Sequence, residues 1–93
     1  MYFIVCYDIS NDKRRRKVAG IIKDYGVRVQ YSIFECDLSD EKYDELYNRL
    51  TEVVNANKDS INIYFLCERC LKNKISLGKE KRFSIRSDVI IIW

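Results

Sequence analysis

The chain has 93 residues, with 17 Lys+Arg against 14 Asp+Glu for a net charge of +3, and it contains neither histidine nor proline. That length is one small domain with a thin core, and without an imidazole base Ser–His–Asp and Cys–His catalysis are excluded, as is any metal site built on histidine. With 47% hydrophobic and 13% aromatic residues the chain is expected to fold rather than remain disordered.

No apolar run approaches the roughly 20 residues that a membrane helix needs. The first apolar stretch stops at Asp8 with no basic region before it, unlike a signal peptide. A cytoplasmic location is the expectation, and in a reducing compartment the four cysteines are expected to be free thiols or metal ligands. Twelve isoleucines and seven valines against two alanines favour a substantial sheet.

Tyr2 to Tyr7 reads as a strand, cut off by Asp8. Ser10-Asn11-Asp12 offers helix N-caps, and Val18, Ile21, Ile22 and Tyr25 then recur on one helical face, so a helix is predicted over about Asp12 to Tyr25 with Gly26 as its C′ residue. Arg28 to Cys36 is extended. Strict alternation places Val29, Tyr31 and Ile33 on one side and Arg28, Gln30, Ser32 and Phe34 on the other, either as one strand or as two broken near Ser32. Ser39-Asp40-Glu41 starts a second helix reaching about Asn55, with Tyr43, Leu46, Tyr47, Leu50, Val53 and Val54 as its apolar stripe. Ile61 to Cys67 is a further strand, residues 68–82 are basic and irregular, and Val89 to Trp93 is a last β-branched segment. The order predicts an α+β, ferredoxin-like βαββαβ sandwich with an extra C-terminal strand, a single domain over residues 1–93, with both helices on one sheet face and a partner subunit covering the rest.

Three features carry chemistry. Asp8 sits where a strand meets a loop, a rigid mount for a carboxylate and the kind of oxygen ligand that Mg²⁺ takes; an ordinary turn aspartate is the alternative. Lys13-Arg14-Arg15-Arg16-Lys17 occupies a helix start, where the dipole disfavours cations, so phosphate binding competes with a simple solvated face. Arg14 and Arg15 flank the apolar stripe, Arg16 and Lys17 point outward, and Arg28 is placed to join them. Cys67-Glu68-Arg69-Cys70 is a lone CxxC. Zinc would need a second pair, and a thioredoxin-like couple needs the motif to open a helix after a strand. Leu71-Lys72-Asn73-Lys74 does not read as a helix, so free thiols are expected. No RNP1 pattern of an RNA-recognition sheet occurs.

Val5-Cys6-Tyr7-Asp8-Ile9, Lys13-Arg14-Arg15-Arg16-Lys17-Val18 and Tyr25-Gly26-Val27-Arg28-Val29-Gln30-Tyr31-Ser32-Ile33-Phe34-Glu35-Cys36 together resemble the CRISPR-associated protein 2 family, in order and spacing. The resemblance implies a two-fold homodimer, with residues 78–93 forming a strand on the partner's sheet. It implies Asp8 as the catalytic and metal-binding residue, with one Mg²⁺ between the two subunits' Asp8, and Tyr7, Arg14, Arg16, Arg28, Ser32 and Phe34 as nucleic-acid-binding or supporting positions. The implied function is CRISPR adaptation, as a Mg²⁺-dependent endonuclease on RNA or DNA phosphodiesters, as a holder of spacer DNA for the CRISPR integrase, or both. The alternatives are a non-catalytic DNA-binding scaffold and a dimeric ribonuclease toxin of similar fold. Expected partners are the integrase and double-stranded DNA or single-stranded RNA, with no membrane.

Overall fold

The structure, a computed structural model, describes residues 1–75, 77 and 78. The expected C-terminal strand within 78–93 lies outside the described residues.

Four strands form one antiparallel sheet: β1 (Tyr2–Asp8), β2 (Gly26–Gln30), β3 (Ile33–Asp37) and β4 (Ser60–Leu66), in the spatial order β2-β3-β1-β4. The helices α1 (Asp12–Lys23) and α2 (Asp40–Val53) connect them, and a short α3 (Glu68–Lys72) follows β4. The strand order and helix placement are the predicted ferredoxin-like arrangement. Among the described residues, no helix is long and apolar enough to cross a membrane.

The two long helices, α1 and α2, each start where an oxygen side chain can satisfy a free backbone N–H. Asn11 accepts from the Arg14 N–H at 2.9 Å, and Ser39 accepts from the Lys42 N–H at 3.3 Å. The end of α1 differs from the expectation. It closes at Asp24 in an ordinary right-handed conformation, and Gly26 already belongs to β2 without positive φ. Gly26 instead answers a close approach: a Cβ there would overlap Cys36 Sγ and come within 2.5 Å of the Glu35 carbonyl oxygen.

The extended stretch is a hairpin turning at Tyr31-Ser32, and it carries a bulge between Arg28 and Gln30. The extra residue changes parity. Arg28 pairs with Phe34 and Gln30 with Ile33, so the expected grouping of Arg28, Gln30 and Phe34 on one side fails at Gln30.

Phe3, Val5 and Tyr7 of β1 and Phe34 and Cys36 of β3 point toward the helices and pack with Val18, Ile21, Ile22, Leu46 and Leu50. Fully burying such side chains contributes about 1.5–3 kcal/mol each. Arg49 joins the helices from outside, donating to Asp24 at 3.1 Å and to the Tyr25 hydroxyl at 3.3 Å. The other sheet face carries half-buried Tyr2, Ile4, Cys6 and Ile33 with exposed Tyr64, and α1 and α2 pack on the opposite side. Lys74, beyond α3, pairs with Glu35 on that face at 3.3 Å.

Candidate nucleic-acid interface

Asp8 is the last residue of β1 and lies opposite Ser60 of β4. Its position follows from the pleat: Phe3, Val5 and Tyr7 go into the core, so Asp8 falls on the outward parity at the rim, and it is exposed. Among the described residues its carboxylate takes part in no hydrogen bond or ion pair.

A cleft of about 540 Å³ opens at this rim, lined by Tyr7, Asp8, Ile9, Ser10, Arg15, Arg16, Ala19, Arg28, Tyr31 and Ser32. A second hollow of about 520 Å³ between α1 and β2 shares Arg16, Ala19 and Arg28 with it and adds Lys23, so one basic groove runs from Asp8 along the edge strand. Tyr7 builds the far wall. Its backbone N–H donates to the Ser32 carbonyl at 3.1 Å and its hydroxyl to the Tyr31 carbonyl at 3.2 Å, which fixes the hairpin turn beside Asp8. Tyr7 itself is buried and stacks on Phe34, with centroids 6.3 Å apart. Phe34, fully buried, lies below the cleft, and the Arg28 guanidinium sits 5.2 Å from its ring centroid.

The three consecutive arginines have three different surroundings. Arg14 turns away from the cleft and forms a fork on Asp59, with Nε donating at 2.8 Å and Nη2 at 3.0 Å. The Asp59 side chain is only 1% exposed and also accepts from the Asn55 N–H at 2.9 Å. The Arg14 hydrogen bonds hold the Asp59 carboxyl below the usual carboxylate range, against the effect of burial, and raise Arg14 in turn. Arg15 donates to the carbonyls of Ile9 and Ser10 at 3.2 and 3.3 Å and pairs with Asp12, bracing the loop that follows Asp8. Arg16 is exposed in the cleft and, like Arg28, has no acidic partner among the described residues.

Of the residues singled out in the sequence, Tyr7, Asp8, Arg16, Arg28 and Ser32 therefore meet in one cleft, Phe34 supports it from below, and Arg14 is committed to Asp59. Two contributors went unnoticed. Asp59 looked like any residue of a polar run, and Tyr31, 93% exposed at the hairpin tip, became a rim residue only through the turn.

Asp8 offers a single free carboxylate at this rim. No group of three or more metal-ligating side chains exists among the described residues. The Asp8 oxygens are the donor type that a hard cation such as Mg²⁺ takes, and one carboxylate would fit an ion whose other ligands come from elsewhere.

The family model for CRISPR associated protein Cas2 matches residues 1–74. The chain is 45% identical over 62 residues to a protein of Synechocystis sp. named CRISPR-associated endoribonuclease Cas2 3, covering 67% of each. The crystal structure of Streptococcus pyogenes Cas2 superposes with a TM-score of 0.73 at 35% identity, covering 84% of this chain and all of that one. A chain of a partial Cas6-RT-Cas1–Cas2 complex matches with a TM-score of 0.68 at 25% identity, covering 78% of this chain and 86% of that one.

Proposed function

The chain belongs to the CRISPR-associated Cas2 family, and from that membership and the rim cleft we propose that it acts as a two-fold homodimer, a Mg²⁺-dependent endonuclease on nucleic-acid phosphodiesters that works beside the integrase Cas1. The observation that carries this reading is the meeting in one cleft of an exposed Asp8 with Arg16 and Arg28, none of them in an ion pair among the described residues. The relatives' name of endoribonuclease and the neighbour found in a Cas1–Cas2 complex support it.

In this mechanism Arg16 and Arg28 hold phosphate oxygens as planar forks, with Lys23 extending the track along β2. Ser32 is a neutral donor at the rim, and Tyr7 keeps the hairpin in register with Asp8. Asp8 would hold the cation, whose chemistry there would be to neutralise phosphate charge and to acidify a water. One carboxylate per chain is too few for a closed site. An isologous dimer through the sheet face opposite α1 and α2 would bring two Asp8 side chains to one cleft and bury Tyr2, Ile4, Cys6, Ile33 and Tyr64.

Asp8→Ala should lower Mg²⁺-dependent cleavage of single-stranded RNA or duplex DNA by more than the 10–100-fold typical of losing an outer-shell partner, while leaving nucleic-acid binding in place. Undiminished cleavage by the purified variant would sink the catalytic role. A scaffold without catalysis is the second reading, favoured by the absence of another carboxylate along the cleft among the described residues. It predicts that Asp8→Ala supports spacer acquisition as well as the wild type does.

A further inference from the structure

The four cysteines divide by environment. Cys36 is fully buried against Gly26, its thiol pushed up to about 12 by burial and then by the charge of Glu35. Cys6 is half-buried on the sheet face opposite α1 and α2. Cys67 and Cys70 are both exposed, and their Sγ atoms lie 3.4 Å apart.

The placement of this pair differs from the expectation. Cys67 follows β4 directly and is the N-cap of α3, with Cys70 inside the helix, so the motif does join a strand to a helix. The basic, irregular composition hid a turn held by the Leu71 N–H on the Cys67 carbonyl at 3.2 Å and by burial of Leu71. Zinc does not explain the pair, because no third metal-ligating side chain gathers there among the described residues.

We infer that Cys67 and Cys70 form an exposed dithiol–disulfide couple whose reaction partner is a low-molecular-weight disulfide of the glutathione type. The two thiols are unequal. The Cys70 backbone N–H, and after it the Cys70 thiol, draw Cys67 below the usual thiol range, whereas donation to Cys67 and its negative charge raise Cys70. Cys67 is therefore the attacking group.

The Cys67 thiolate attacks one sulfur of the small disulfide, breaking its S–S bond and expelling one thiolate, which takes up a proton. The Cys70 thiol loses its proton to solvent and attacks Cys67 Sγ in the mixed disulfide, expelling the second thiolate, which is protonated in turn. Counted from the dithiol, the protein loses two protons and two electrons, and the small disulfide becomes two thiols. Closure needs the sulfurs to approach from 3.4 Å to about 2.05 Å.

The test is incubation of the full chain with a series of reduced and oxidised glutathione mixtures, quenched by alkylation and followed by intact mass and peptide mapping. The expected result is a species lighter by two hydrogens in which Cys67 is linked to Cys70. Cys70→Ser should lose that species completely and accumulate a glutathione adduct on Cys67, while Cys6→Ser should leave it unchanged. Stable adducts on both cysteines of the wild type, a link between two chains, or stoichiometric zinc released on alkylation would each overturn the couple. Survival of the lighter species in Cys70→Ser would overturn it as well.

Discussion

Asp8 ends β1 opposite Ser60, and Asp59 is the residue just before Ser60, so two carboxylates occupy adjacent strand ends at one edge of the sheet. Their surroundings are opposite. Asp59 is enclosed, takes the Arg14 fork and the Asn55 N–H, and ties the first turns of α1 to the loop before β4. The Asp8 carboxylate is exposed and makes no hydrogen bond or ion pair among the described residues, although three cationic side chains line the same cleft. A carboxylate removed from water persists as a charge only when it is paired. One left in water and unpaired by the protein is available to a cation or a ligand. Burial and partners, rather than residue type, separate the brace from the candidate reacting group.

The widest separation should come from exchanging each acid for its amide. Asp8→Asn should remove Mg²⁺-dependent cleavage and shift stability by no more than about 0.5 kcal/mol, as an exposed substitution does. Asp59→Asn should do the reverse: thermal melting falls clearly, and cleavage measured well below the new midpoint is largely kept. The pH dependence has a definite sign. The folded Asp59 carboxyl titrates below its unfolded value, so its contribution is fully present above the ordinary aspartate range and is lost as pH falls through the depressed folded value. The melting gap between wild type and Asp59→Asn should therefore be constant from neutral to mildly acid pH and close only in strong acid. A gap that closes near neutrality would mean that another group sets it.

The Asp8 end could be read from the chain because its cause is local. An apolar run obliges a strand, and the first charged residue after it lands at the rim. The helices, with a capping residue and a repeating stripe, were legible for the same reason. The role of Asp59 was not, since its partner lies 45 residues away and a charge run does not say which of its members finds one. The hairpin parity was lost to a single bulged residue, and α3 to a segment whose one buried side chain is Leu71.

Tyr31 tests whether the rim reads bases as well as phosphates. Its ring is almost fully exposed, while its backbone carbonyl is held by the Tyr7 hydroxyl, a bond that alanine would keep. Tyr31→Ala should weaken single-stranded RNA or DNA binding by about 1–3 kcal/mol, the worth of one stacked base, and leave duplex binding and thermal melting unchanged. Equal losses for single strands and duplex would place Tyr31 on the backbone path.

The smallest expected effect is the most discriminating, because it separates residues two positions apart on one helix. Arg16→Gln should leave melting unchanged and reduce the slope of log affinity against log salt for duplex DNA by about 0.9, the signature of one lost phosphate contact. Arg14→Gln should leave that slope alone and lower the melting temperature, since it strands the enclosed Asp59 without its fork. If Arg14→Gln instead takes the same step in slope, nucleic acid draws Arg14 off Asp59, and α1 must release its brace on binding. In that case melting of the protein–DNA complex should become insensitive to Asp59→Asn, a second measurement on the same pair that distinguishes a fixed brace from an exchangeable one.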